Sequence, residues 1–230
     1  MSNTIRVYRY LKSEYALLAL QTKEWKIGRL NQLNDPFDCS PLIDGPSNRP
    51  GENYGNEFLK EAGEAMGLIC YSRAINDPVI WSHYADSHFG IALGFDYIDG
   101  VDGLFEVRYP EDNKRAVLTY NDITTAKQLG GDKLTEMIAK GFTVKASSWA
   151  YEQEFRHFIF FHGCEMRGPH YFRIMPCRKL KEIVLGANCV IGKSDIQHIL
   201  DKNRSGDEFY ENDVKILKAG LDKESYKIIT

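Results

Sequence analysis

The sequence has no apolar run approaching the roughly 18 residues that a membrane-spanning helix needs, so no helical span and no membrane partner are expected. It has no paired C-x-x-C spacing. Its five cysteines, Cys39, Cys70, Cys164, Cys177 and Cys189, are an odd number and widely scattered, and no leader-like segment precedes the first strand-like residues. The expectation is reduced thiols in a cytoplasmic protein. Charge of one sign is not in excess either: 29 Lys and Arg against 32 Asp and Glu leave −3. That balance excludes the broad attraction that drives non-specific nucleic-acid binding, so a phosphate-binding surface would have to be local. Repeats, low-complexity tracts and linkers are absent, so residues 1–230 read as a single domain.

What the sequence does have is material for a core, 43% apolar and 12% aromatic residues. Ile5 to Tyr10 alternates like a strand, and Ser13 opens a helical stretch with Leu17, Leu18 and Leu20. Trp25 to Leu30 is strand-like and ends at the turn Asn34-Asp35-Pro36-Phe37-Asp38. Pro41 to Gly55 reads as a surface loop. Phe58 to Met66 is expected to be a helix and Gly67 to Ser72 a strand. Asp77-Pro78 reads as the cap and first position of a helix carrying Ile80, Trp81, Tyr84 and Ala85 on one face. Strands are expected at Phe89 to Phe95, Leu104 to Tyr109, Trp149 to Phe161, Tyr171 to Met175 and Glu182 to Leu185, with a helix at Asn121 to Lys140 interrupted at Gly130-Gly131. Strands in runs with helices inserted irregularly predict an α+β fold, a mostly antiparallel, strongly twisted sheet with flanking helices.

The densest signal is Trp149-Ala150-Tyr151-Glu152-Gln153-Glu154-Phe155-Arg156-His157-Phe158-Ile159-Phe160-Phe161. On one strand, Glu152, Glu154, Arg156, Phe158 and Phe160 would share a face that passes from charged to apolar. Two readings fit that face: the charged mouth of a cleft floored by Phe158 and Phe160, or a structural ion pair between Arg156 and Glu154.

Glu-x-Glu late in the chain, an Arg on the first strand and a Ser or Tyr element midway resemble the ADP-ribosyltransferases in order. The elements here are Glu152 and Glu154, Arg9 within Tyr8-Arg9-Tyr10, and Ser82 with Tyr84. A second resemblance covers more of the chain. Asn34-Asp35-Pro36-Phe37, Trp81-Ser82-His83-Tyr84-Ala85 with Gly90-Ile91-Ala92, Glu152-Gln153-Glu154-Phe155-Arg156, and Ile183-Val184-Leu185-Gly186 look like successive boxes of a widespread bacterial family of unknown function. Together the resemblances imply a split transferase-like sheet and an NAD-consuming enzyme, a toxin or phage-defence effector. They imply Glu154, Glu152 and Tyr84 as catalytic residues, Glu154 stabilising a ribose cation, Glu152 on the acceptor and Tyr84 against nicotinamide. Arg9, Tyr8, Asn34, Asp35, Ser82 and Arg156 would bind NAD, with Arg9 on its pyrophosphate. NAD would be a substrate, no metal is implied, and the acceptor would be a nucleic acid or protein. Packing and turn chemistry also explain Trp81, Asn34 and Asp35.

Two other motifs point away from chemistry. Ala187 to Ser194 fits a loosened phosphate-loop pattern, but Cys189, Val190 and Ile191 read as buried filler, and Ser194 with Gln197 as a capping box for Asp195 to Leu200. His157, His162, Cys164 and His170 lack zinc-site spacing. The rival function is a non-catalytic nucleic-acid or protein-binding module. Arg167, His170, Tyr171, Phe172, Arg173, Arg178, Lys179 and Lys181 favour it by interleaving bases with aromatics.

Overall fold

The computed structural model describes residues 4–45, 54–98, 102–174, 180–203 and 214–230; Cys177, Arg178 and Lys179 lie outside them, as do residues 46–53, while the segment from Pro41 to Gly55, expected to be a loop, contains a short strand at Leu42–Asp44 and the start of a helix at Tyr54. In chain order the elements are β1 (Thr4–Leu11), α1 (Ser13–Thr22), β2 (Glu24–Arg29), β3 (Leu42–Asp44), α2 (Tyr54–Ala65), β4 (Met66–Ser72) and α3 (Pro78–Tyr84). Next come β5 (Ile91–Ile98), β6 (Leu104–Glu106), β7 (Val117–Thr119), α4 (Tyr120–Leu129), α5 (Gly131–Gly141) and β8 (Glu154–Phe160). The chain ends with β9 (Glu165–Arg167), β10 (His170–Ile174), β11 (Leu180–Leu185), α6 (Lys193–Asn203), β12 (Lys215–Lys218), β13 (Gly220–Leu221) and β14 (Ile228–Ile229).

Ten strands form one sheet in the order β12-β11-β5-β1-β4-β2-β10-β9, with β8 joined to β4 and β6 to β8. Every pairing in it is antiparallel except β11 with β12. This is the expected α+β architecture. The sheet branches at β4. Its Ser72 end pairs with Tyr8 of β1, and its Gly67–Leu68 end pairs with β2, while β8 runs along the whole of its other side.

Alternation decides what each face buries. Val7, Ile69, Leu93 and Phe155 point to one face, where α1 and α6 pack through Ala16, Leu20, Ile196 and Leu200. On the other face α3 seats Trp81 and Ala85 against Tyr8 and Ala92. Beside it α2, α4 and α5 cover Leu68 and Phe158 with Phe58, Ile123 and Met137. The charged residues of β8 lie on this second face, between the α3 layer and the α2–α4–α5 layer.

Several local expectations change. Residues Ser147–Glu152 form a 3₁₀ turn, not the first half of a strand, and Gln153 turns the chain with a φ of 44° before β8 starts at Glu154. Glu152 is therefore not on the strand face. The interruption expected at Gly130-Gly131 is present and divides the Asn121 to Lys140 segment into two helices, because both glycines take positive φ, 60° and 48°. The Leu104 to Tyr109 strand stops pairing with β8 at Glu106, and Arg108 then bridges to Val144.

The helix after the rejected phosphate loop starts at Lys193, so Ser194 lies inside it and is not its cap. The carboxylate of Asp195 accepts the Gly192 N–H at 2.9 Å instead. Cys189 is buried as read, whereas Val190 is 87% exposed and not filler. Asp195→Ala should cost about 1 kcal/mol and Ser194→Ala less than about 0.5 kcal/mol, as urea denaturation would show.

The Gly90 and Gly186 boxes meet through backbone. The Gly186 N–H donates to the Gly90 carbonyl at 2.9 Å, and a Cβ on Gly186 would stand 2.2 Å from the His88 oxygen. Gly186→Ala should destabilise the fold by about 1–3 kcal/mol through overpacking, read as a lowered melting temperature.

Candidate active site

Three sequence boxes far apart in the chain converge where β8 leaves the 3₁₀ turn. The guanidinium of Arg156, 0% exposed, donates from Nε and Nη2 to the two oxygens of Glu154 at 2.8 and 2.9 Å. Its Nη2 also reaches Asp38 at 2.9 Å, and its Nη1 donates to the Phe142 carbonyl at 2.7 Å and to Cys39 Sγ at 3.1 Å. Lys145, just beyond α5, brings its ammonium to Glu152 at 2.5 Å, Glu154 at 3.2 Å and Asp38 at 3.4 Å, with the Trp149 ring 4.8 Å away. Register explains the position of Glu154: it stands opposite Ser72, whose hydroxyl donates to the Glu152 carbonyl at 2.5 Å.

Glu152 connects this buried cluster to the surface. Its Oε1 accepts from Tyr84 Oη at 2.5 Å, and Asn34 Nδ2 donates to the same tyrosine oxygen at 3.2 Å. Asn34 is exposed, Tyr84 half-buried and Glu152 buried. Asp77 holds α3 in place by accepting the Val79 and Ile80 N–H groups, and the last residue of that helix is Tyr84.

The two glutamates titrate in opposite directions. Burial pushes the Glu152 carboxyl above the ordinary range, more than Lys145 and the hydrogen bonds pull it down. Burial also acts on Glu154, but Arg156 and Lys145 outweigh it and hold that carboxyl at about 2. Lys145 is penalised by burial, yet Glu154, Asp38 and Glu152 together raise it above an ordinary lysine. Burial, then the bond to Glu152, raises the Tyr84 hydroxyl. Burial likewise pushes the Cys39 thiol up to about 12, so beside Arg156 it is a neutral thiol.

A cleft of about 230 Å³ opens beside the cluster. Asp38 and Lys145 form its inner end, Pro41, Ala116, Val144 and Ala146 its walls, and Asp35, Phe37, Lys114 and Arg115 its mouth. Asp35 is at the same time a turn residue, accepting the Phe37 N–H at 2.9 Å. On the central strand, Cys70 stands opposite Arg156, and burial together with the neighbouring Glu154 pushes its thiol well above the ordinary value.

Of the residues singled out in the sequence, Glu152, Glu154, Arg156, Tyr84 and Asn34 come together, with Asp35 at the adjoining cleft. Arg9 does not join them. It shares a face with Val7, over the Trp25 ring at 4.4 Å, and donates to the Lys26 carbonyl at 3.1 Å. Tyr8 is on the cluster's face but donates to Glu182 at 2.5 Å. Ser82 is exposed on α3. Trp81 is a core residue, fully buried, with Nε1 on the Ile75 carbonyl at 2.7 Å. The basic and aromatic run is partly self-paired, Arg167 meeting Glu24 at 2.6 Å and covering the Phe172 ring at 4.0 Å. Asp38, Cys39 and Lys145 were not singled out. The available signal for Lys145 was a lone cation among apolar residues in Gly141-Phe142-Thr143-Val144-Lys145-Ala146.

Among the described residues no group of three or more His, Cys, Asp or Glu side chains is arranged to hold a metal ion. Nor is any helix there long and apolar enough to cross a membrane. Residues 80–157 match the family described as Protein of unknown function (DUF2971). The match takes in Tyr84, Lys145, Glu152, Glu154 and Arg156, and leaves out Asn34, Asp38 and Cys39. No curated protein and no solved structure matches the chain.

Proposed function

We propose that the protein is an enzyme that breaks a glycosidic bond of a nucleotide, with NAD as the donor, from a site centred on Glu152 and Tyr84. The observation that carries this reading is a surplus carboxylate. Asp38, Glu152 and Glu154 share two cations, and Glu154 alone contacts both Arg156 and Lys145 within 3.2 Å. A carboxylate so neutralised has little charge left for a substrate. Glu152 has only a share of Lys145, and it is the one linked to the surface through Tyr84 and Asn34.

In the proposed reaction the bond between the ribose anomeric carbon and the nicotinamide nitrogen breaks, and nicotinamide leaves with the electron pair. Glu152 faces the positive charge that develops at the anomeric carbon. An acceptor hydroxyl or amine, on a nucleic acid, a protein or water, then bonds to that carbon and loses its proton to Glu152, whose raised proton affinity suits the task. Tyr84, donating to Glu152, orients the carboxylate and screens it from water. Relative to the sequence-based expectation, the ribose-facing role passes from Glu154 to Glu152, and Arg9, Tyr8 and Ser82 have no part.

The test is nicotinamide release from NAD and transfer of labelled ADP-ribose to protein or nucleic acid in a lysate. Glu152→Gln should lower either rate by about 100-fold or more. Absence of release and transfer above that variant would overturn the reading. The non-catalytic binding module would then stand, favoured by the complete mutual pairing of Asp38, Glu154 and Arg156 inside the fold.

A further inference from the structure

We propose that the cleft between Phe37 and Arg115 receives the nucleoside phosphate end of a free nucleotide, the base and ribose inside and the phosphate at the mouth. The inference rests on the nucleotide-enzyme reading only for what is done with the bound molecule. The recognition itself follows from the walls.

Phe37 is 65% exposed at the mouth of the cleft. The Arg115 guanidinium lies over it, 5.7 Å from the ring centre, and is fixed there by Ser40. Its Nε donates to the Ser40 carbonyl at 3.1 Å and its Nη2 to the Ser40 hydroxyl at 3.0 Å. A guanidinium pinned along one edge keeps its remaining donors in a fixed direction, which suits phosphate oxygens better than a swinging lysine does. Lys114, ion-paired with the exposed Asp112 at 2.8 Å, adds a second cation beside it. Asn113 anchors the segment that carries both cations, its side-chain oxygen accepting the Ser147 N–H at 2.8 Å.

The interior supplies the other half of the argument. Its walls include Pro41, Ala116, Val144 and Ala146, and its inner end is closed by Asp38 and Lys145, which are ion-paired with each other at 3.4 Å. An aromatic ring at the entrance, apolar walls and a cationic lip match a flat base carrying an anion, and match inorganic phosphate or a plain hydrocarbon less well. The volume, about 230 Å³, falls below the roughly 300–1,000 Å³ of sites that enclose a whole drug-sized ligand. The cleft thus holds one end of a dinucleotide and leaves the other end outside.

Calorimetric titration of the full chain with AMP, adenosine, inorganic phosphate and a short single-stranded oligonucleotide tests this. AMP should bind more tightly than adenosine or phosphate. Phe37→Ala and Arg115→Gln, both exposed and so expected to melt like the parent, should each weaken AMP about fivefold or more. AMP binding no tighter than phosphate, or unchanged by both variants, would overturn the proposal. Tighter binding of the oligonucleotide than of AMP would overturn it too, by assigning the cleft to a nucleic acid. Binding of AMP is read without turnover, so AMP binding in a protein that releases no nicotinamide would remove the enzyme reading and leave this assignment standing.

Discussion

Arg156→Met should lower the stability of the fold by about 3–5 kcal/mol, enough to leave a marginally stable domain largely unfolded at moderate temperature. The side chain is fully buried and its donors satisfy Glu154, Asp38, the Phe142 carbonyl and Cys39. Methionine fills much of the volume but returns none of those bonds. Three buried carboxylates would then face Lys145 alone. Arg156→Lys should rescue little, because one ammonium cannot span both carboxylates and the Phe142 carbonyl in the geometry of a planar fork. For a domain of this size the loss corresponds to a melting temperature lowered by roughly 6–20 °C. Added salt should change it little, since the pair is out of reach of bulk ions. A melting temperature within about 2 °C of the parent would show that the cluster contributes nothing net to folding.

Much of the fold was legible because strand alternation and helix caps are local signals. Val7 and Tyr8 bury on opposite faces as a period of two requires, and Asp77-Pro78 starts α3 as its capping chemistry predicts. The bend before β8 was not legible. Trp149 to Gln153 has the aromatic and polar alternation of a strand, and nothing in Gln153 marks a residue with positive φ as a glycine would. That same bend turns Glu152 off the strand and onto Lys145. The site divides along the same line. Glu152, Glu154 and Arg156 are neighbours in sequence and were found as a group, whereas the partner Asp38 lies 118 residues from Arg156. Contacts of that span depend on the layering of α2, α4 and α5 over the sheet, which no local pattern encodes. For Arg9 the information was present in the alternation: it shares the parity of Ile5 and Val7, and so the face that packs under α1 and α6.

Glu154→Gln and Glu152→Gln should separate the structural carboxylate from the reactive one, with opposite effects on stability. Glu154 is held at about 2 in the folded protein, against about 4.3 for an unfolded glutamate. A carboxyl depressed on folding stabilises above its unfolded value, and that contribution is lost as pH falls through the folded value. The gap is worth on the order of 3 kcal/mol at neutral pH, and it should disappear between about pH 5 and pH 2. Glu154→Gln should therefore cost about 3 kcal/mol at pH 7 and flatten the acid limb of a stability profile. Glu152 has the reverse sign. Its carboxyl is raised by burial, so its contribution is present below the unfolded value and is lost as pH rises through the folded one. At neutral pH its charge opposes folding. Glutamine at this position retains both hydrogen bonds: the amide oxygen accepts from Lys145, and the amide nitrogen donates to Tyr84 Oη, which a hydroxyl can accept. The substitution also removes the one unbalanced negative charge of the cluster. Glu152→Gln should thus be as stable as the parent at pH 7 or more stable, while activity falls, as expected where a site is kept for chemistry at the expense of stability. Urea denaturation of the three proteins from pH 3 to pH 8 reads both slopes. A destabilised Glu152→Gln beside an unaffected Glu154→Gln would exchange the roles of the two residues.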